Sequence, residues 1–108
     1  MRSGGEIEVV TFSGELDIAG KEQLRGRLSS ARSITGILLD LARVSYADST
    51  ALTELLRFQI QCRERSIPVA MHVATAQLER IIRYAGLYET FSIFGDREDA
   101  LRYLEAQP

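Results

Sequence analysis

The part of the chain best suited to chemistry is a run of three small polar residues, Asp48-Ser49-Thr50, which precedes the longest helical pattern in the sequence. All three residue types are preferred at the N-cap of a helix, where a side-chain oxygen accepts a backbone hydrogen bond. One of them must cap the helix, and the others then lie near the positive end of its dipole. A group added here, especially an anion, would meet free backbone N–H donors. The run therefore indicates either a plain helix cap or a site for a modified hydroxyl.

A second polar position, Asp17-Ile18, follows the first predicted strand at the start of the first predicted helix. Loops at one edge of a parallel sheet converge. We therefore expect this loop to lie beside Ser49, close to Asp48 and Thr50. The alternative is that Asp17 only caps its own helix.

Two apolar residues lie farther along the predicted helix, on the same side of it as Ser49. At about 100° per residue, Leu56 and Ile60 fall on the same line as Ser49, whereas Phe58 and Cys62 point toward the sheet. Leu56 and Ile60 are therefore expected at the edge of the core. They either continue a docking surface from Ser49 or are covered by another helix.

The sequence is poor in other reactive groups. It has one cysteine, Cys62, and one histidine, His72, which leaves no disulfide framework and no multi-Cys or multi-His metal site. It also lacks the G-x-x-x-x-G-K-[ST] and G-x-G-x-x-G phosphate-binding motifs. We therefore expect no catalytic residues, no metal and no cofactor, and a protein that is not an enzyme. The alternative is a small enzyme or ligand-binding domain that uses the loops at the edge of the sheet, against which the absent nucleotide motif and the single histidine argue. Any ATP would have to come from a partner.

Net charge and hydropathy argue against nucleic acids and membranes as partners. Thirteen Lys and Arg against fifteen Asp and Glu give a net charge of −2, which does not favour nucleic-acid binding. The longest apolar runs, 37–39 and 67–73, are far short of the roughly 20 residues that cross a bilayer. The N-terminus becomes charged at Glu6 before an apolar signal-peptide core could form. These features predict a cytoplasmic protein without membrane insertion.

Strand and helix patterns alternate along the chain, and their order predicts an α/β fold. Its 108 residues, of which 45% are hydrophobic, suit a single domain over 1–108, with 1–5 flexible. We expect a mixed, mostly parallel sheet of about four strands packed with about four helices. The predicted strands are 6–12, 35–41, 67–73 and 91–94, and the predicted helices are 19–31, 51–65, 75–84 and one that begins at Asp96. In the first strand, Ile7, Val9 and Thr11 are expected on one side.

Several short motifs together resemble a STAS domain, and most closely the stand-alone bacterial anti-sigma factor antagonists. They are Gly14-Glu15-Leu16-Asp17, Leu39-Asp40-Leu41, the stretch from Ala47 to Leu52, and Ala85-Gly86-Leu87 followed by Phe91. The resemblance implies a switch protein, in which Asp17 and Ile18 share in partner binding with Asp48, Ser49 and Thr50. In that family, an anti-sigma factor that is itself a kinase phosphorylates the serine after the motif aspartate, here Ser49. The unphosphorylated antagonist binds the anti-sigma factor, and a phosphatase resets the phosphorylated form.

The chain departs from the family pattern in two places. The family usually has glycine two residues after the phosphorylated serine, where this chain has Ala51. The family often begins with an additional strand, before the strand that ends in Gly-Glu-Leu-Asp. Only residues 1–5 are available for it here, so we expect this edge strand to be short or absent. The alternative function is therefore a STAS interaction subunit that is not phosphorylated, such as the soluble partner of a lipid-transport ATPase. In either case we expect a monomer or weak dimer.

Overall fold

Strands and helices alternate through the described part of the chain. The structure is a computed structural model and describes residues 6–107; the flexibility expected of 1–5, and the additional strand considered there, lie outside these residues. The elements are β1 (Glu8–Leu16), a 3-10 turn (Ile18–Gly20), α1 (Lys21–Ser29), β2 (Ile37–Ala47), α2 (Ser49–Glu64), β3 (Val69–His72), α3 (Ala76–Tyr84), β4 (Ile93–Phe94) and α4 (Arg97–Glu105).

The four strands form one sheet in the order β1-β2-β3-β4. Every pairing among residues 6–107 is parallel, so the described sheet is more uniform than the mixed sheet expected from the sequence. The predicted α/β class, with four strands and four helices, is confirmed. Right-handed crossovers between neighbouring parallel strands place the connecting helices on one face of the sheet.

The core has two unequal parts because the sheet is covered on both faces. On one face, Leu39 and Leu41 of β2 join the apolar residues of α1, α2 and α3 in the larger cluster. On the other face, Leu38 packs with Ala100 and Leu104 of α4 in a small cluster. Successive side chains of a strand point to opposite faces. This explains why 37–41 is a continuous apolar run.

The two longest strands extend beyond their predicted ends. The pair Ser13-Gly14 looks like a turn in the sequence, yet β1 continues through it to Leu16 and pairs with β2 as far as Ala47. Register shifts interrupt the pairing, and Gly14 takes a left-handed φ of +82° there. Glycine adopts this conformation without the cost that a Cβ would impose, so the strand can bulge and continue.

The inward side of β1 also differs from the side that the sequence emphasises. Val10 and Phe12 are the buried residues of this strand and belong to the larger cluster. Ile7 packs against the smaller cluster on the other face, where Val9 is partly exposed. Among the residues described, no helix has both the length and the apolar character required to span a membrane.

Candidate functional site

Asp48 joins two loops at the carboxyl ends of β1 and β2. One carboxylate oxygen, Oδ1, accepts a hydrogen bond from Ala51 N at 2.9 Å and so caps α2. The other, Oδ2, accepts one from Ile18 N at 2.9 Å. The backbone N–H of Asp48 also donates to Leu16 O at 3.0 Å. Both oxygens of the side chain are therefore used inside the protein, and they fix the first loop against the start of α2.

Ser49 is left free by this arrangement. Because Asp48 supplies the cap, the Ser49 side chain is exposed at the first position of α2, and its hydroxyl has no hydrogen-bond partner within residues 6–107. Only its backbone carbonyl is engaged, by the Thr53 hydroxyl at 2.8 Å. Thr50 is half-buried. Of the three residues that could cap the helix, the central one therefore presents an unused hydroxyl at the surface.

Ala51, where the family usually has glycine, points away from this surface. It is fully buried and belongs to the larger core cluster. Its methyl group therefore packs inward, on the side of α2 opposite the exposed hydroxyl of Ser49. The departure from glycine adds apolar contact to the core and leaves the surroundings of the hydroxyl open.

The loop after β1 lies beside the start of α2, as the convergence of parallel strand ends predicts. Asp17 caps the 3-10 turn through a hydrogen bond from Ala19 N to Oδ1 at 3.1 Å. Its neighbour Ile18 is 68% exposed although it is a large apolar residue. Since Ile18 N is bonded to Asp48, this exposed side chain belongs to the same surface as Ser49.

The two apolar residues predicted farther along α2 differ in exposure. Ile60 is 45% exposed, whereas Leu56 is half-buried and packs against the larger core cluster. Both predicted core-facing residues, Phe58 and Cys62, are buried. The structure therefore places Ile60 on the same exposed helix face as Ser49 and Leu56 at its border.

An ion pair next to this surface was not apparent from the sequence. Arg25 of α1 donates to both carboxylate oxygens of Glu54 of α2, at 3.0 and 2.9 Å. The Glu54 side chain is only 5% exposed. The hydrogen bond from Arg25 is the main cause that lowers the pKa of Glu54, against the opposing effect of desolvation. The sequence hints at this pair only through a glutamate that lies between the buried residues Ala51 and Phe58. Its partner Arg25 is 29 residues away, too far for a local pattern to show.

A shallow hollow of about 230 Å³ opens directly beside Ser49. Two cationic residues, Lys21 and Arg57, line it, and both act to lower the pKa of Glu54. The other lining residues are Ser49, Thr50, Thr53 and Glu54. The hollow thus combines hydroxyl groups with positive charge at the start of a helix, a setting that favours an anion.

Other reactive side chains lie apart from this surface. Cys62 is buried, and desolvation raises the pKa of its thiol. His72 Nδ1 lies 3.6 Å from Asp40 Oδ1, and Arg97 pairs with Asp40 at 3.1 Å. Within residues 6–107, no group of three or more His, Cys, Asp and Glu side chains is arranged to hold a metal ion.

Comparison with known proteins agrees with this architecture. The family described as "Mlab, STAS domain" matches residues 1–94, and the chain belongs to this STAS family.

Solved structures with the same fold come from proteins with different descriptions. A sulfate transporter family protein from Wolinella succinogenes superposes with a TM-score of 0.80 at 21% identity, covering 92% of this chain and 84% of the other. A putative anti-sigma factor antagonist from Thermotoga maritima gives 0.77 at 18% identity, with 90% and 87% covered. The anti-sigma factor antagonist SpoIIAA in its unphosphorylated form gives 0.73 at 19% identity, with 97% and 92% covered. At these identities the likeness establishes the fold.

Proposed function

We propose that this protein is an anti-sigma factor antagonist that is switched by phosphorylation of Ser49. The observation that carries the proposal is the unused hydroxyl of Ser49, exposed at the start of α2 while Asp48 caps the helix. The domain is a binding module and not an enzyme. Its partners are an anti-sigma factor with serine kinase activity and a phosphatase, in the cytoplasm.

The chemistry of the switch requires only one group from this chain. The Ser49 oxygen attacks the γ-phosphorus of ATP bound to the kinase, the bond from that phosphorus to the β,γ-bridging oxygen breaks, and ADP leaves. The hydroxyl proton passes to a base of the kinase. The buried methyl of Ala51 leaves this approach unobstructed, which supports phosphorylation in a chain that lacks the usual glycine.

The phosphate acts on the interface and leaves the fold intact. It adds about −1.5 to −2 charges at neutral pH, on the surface that also carries the exposed residues Ile18 and, about three helical turns along α2, Ile60. At a helix N-terminus the domain tolerates this charge, which the dipole stabilises by about 0.3–1 kcal/mol. In a desolvated interface, unpaired or repelling charge costs several kcal/mol, so the partner dissociates.

The direct test is phosphoryl transfer from the cognate anti-sigma kinase with ATP, mapped by mass spectrometry. We expect one phosphate on Ser49 in the wild type and none in Ser49→Ala. The matched control is Thr50→Ala, which removes the neighbouring hydroxyl and should still be phosphorylated. No transfer to the wild type, or undiminished transfer to Ser49→Ala, would contradict the proposal.

The proposed docking surface, formed by Ile18, Ser49 and Ile60, can be tested separately. Ile60→Glu places a charge on the exposed apolar residue of α2, and we expect it to weaken binding to the anti-sigma factor at least tenfold. Ile34→Glu is the control because Ile34 is 52% exposed in the loop between α1 and β2. Leu56→Glu is less informative, since Leu56 also contacts the core. Unchanged binding by a folded Ile60→Glu variant would remove Ile60 from the surface.

A second candidate is the STAS interaction subunit that docks without phosphorylation, such as the soluble partner of a lipid-transport ATPase. Two findings favour keeping it: the matching family is described as Mlab, and the fold is shared with a sulfate transporter family protein. Ser49→Asp distinguishes the two candidates in a pull-down from native cell extract. Loss of the partner supports the switch, and undiminished capture supports the constitutive subunit.

A further inference from the structure

The hollow beside Ser49 is lined by two cations, Lys21 and Arg57, that act on Glu54 only through space. Lys21 is the first residue of α1, and Arg57 lies about two helical turns beyond Ser49 on α2. Neither side chain makes a hydrogen bond or ion pair to residues 6–107. Both nevertheless face the same space as the free hydroxyl.

The neighbouring carboxylates, by contrast, are already satisfied. Glu54 is held by both arms of the Arg25 guanidinium. Asp48 accepts two backbone N–H hydrogen bonds, and Asp17 accepts one. The groups in the hollow that still have hydrogen bonds to donate are therefore the cations Lys21 and Arg57, while the carboxylates of Asp48 and Asp17 keep their negative charge nearby.

We propose that Lys21 and Arg57 form a cradle that binds the phosphate of phosphorylated Ser49 within the same domain. The phosphate oxygens would accept charge-assisted hydrogen bonds from the Lys21 ammonium and the Arg57 guanidinium. This inference rests on the proposed function, because it concerns the phosphorylated form of Ser49. Its regulatory consequence is that phosphorylation withdraws two cations from the docking surface as well as adding bulk.

The cradle is testable without a kinase, because phosphoserine can be incorporated at position 49 during translation of the full chain. The measurement is the second pKa of the phosphate, followed by ³¹P NMR in the folded protein and in the same protein unfolded in urea. An ordinary phosphoserine titrates at about pH 6. Cations in contact favour the dianion, so we expect a folded value lower by about 0.5 or more.

Two double variants isolate the cradle from the helix dipole. In Lys21→Gln/Arg57→Gln, we expect most of the lowering to disappear while the amide NMR spectrum shows a folded domain. In Arg27→Gln/Arg63→Gln, we expect the lowering to persist, because these cations lie on the same two helices but do not line the hollow.

Two outcomes would overturn the cradle. One is a wild-type pKa equal to that of the unfolded chain, and the other is full retention of the lowering in Lys21→Gln/Arg57→Gln. Either result leaves transfer from the kinase to Ser49 unaffected. Conversely, a failure of that transfer leaves the ³¹P result standing, so the two proposals fail separately.

Discussion

Two aspartates of the same strand, one within β2 and one directly after it, are used in different ways. Asp48, which follows β2, bonds two backbone N–H groups from separate segments and leaves the next residue, Ser49, exposed and unbonded. Asp40, within β2, accepts from Ala42 N and from Arg97 of α4, with His72 nearby. The first aspartate positions a free hydroxyl, whereas the second ties a helix to the sheet. A polar cluster at a strand end therefore indicates a functional site only where it leaves a group unused.

The largest effect is expected from Asp48→Ala. The substitution removes the α2 cap and the hydrogen bond that holds the first loop, so we expect a loss of about 2 kcal/mol in the free energy of unfolding. Urea denaturation followed by circular dichroism measures it. Asp96→Ala is the matched control, because Asp96 caps α4 through one hydrogen bond, to Glu98 N. Equal losses in the two variants would show that the link from Asp48 to Ile18 contributes nothing.

The ion pair between Glu54 and Arg25, on the same side of the sheet as Ser49, should make the stability of the protein depend on pH. The folded pKa of Glu54 lies below its ordinary value of 4.5. The stabilisation is therefore complete above about pH 4.5 and is lost as the pH falls through the folded pKa. We expect Glu54→Gln to lower the Tm at neutral pH, with the gap to the wild type narrowing in acid.

The control for this pH dependence is Glu79→Gln. Glu79 forms an exposed pair with Arg83 on α3, at 3.7 Å, and should show a much smaller gap at every pH. Thermal melts from about pH 3 to 7 cover the window in which a shifted carboxyl titrates. A gap between Glu54→Gln and the wild type that stays constant across this range would contradict the prediction.

The contrast between the two aspartates also shows what the sequence could and could not predict. The order of elements, the position of Ser49 and the nearness of the Asp17 loop follow from local patterns and from the geometry of parallel sheets. The choice of Asp48 as the cap does not, because three adjacent residues were equally suitable. The Arg25–Glu54 pair and the Lys21–Arg57 hollow depend on how α1 packs against α2. That packing is a long-range property, and no short sequence pattern encodes it.

The sequence does not predict that β1 and β2 continue as far as Leu16 and Ala47, and the reason is different. Ser13-Gly14 is a common turn pair, and only the pairing with β2 shows that the glycine serves as a bulge within a strand. If the two strands ended where the sequence predicts, at residues 12 and 41, the loops that carry Asp17 and Asp48 would begin nearer the middle of the sheet. The strand ends, not the motif, therefore decide where the site lies.

On the α4 side, Arg97→Ala should have a small effect. Arg97 is 47% exposed, and its hydrogen bond to Asp40 Oδ2 is 3.1 Å long. The Asp40 side chain is only 15% exposed, but the arginine is open to solvent, so we expect a loss near that of surface pairs, about 0.2–1 kcal/mol, by urea denaturation. Binding to the anti-sigma factor that we propose as partner should be unchanged, because Arg97 belongs to α4, on the opposite face of the sheet from α2. Weakened binding would mean that the docking surface extends around the sheet edge.

The smallest effect on stability is expected from Ser49→Ala, although this change should abolish the switch that we propose. The Ser49 side chain is exposed and its hydroxyl has no partner in residues 6–107, so its loss should change the free energy of unfolding by no more than about 0.5 kcal/mol. Thr75→Ala is the contrasting control, because the Thr75 hydroxyl caps α3 and also donates to Val44 O at 3.1 Å. A loss for Ser49→Ala as large as that for Thr75→Ala would mean that the hydroxyl has a structural role. The distinction between Asp48, which builds the site, and Ser49, which the site presents, would then not hold.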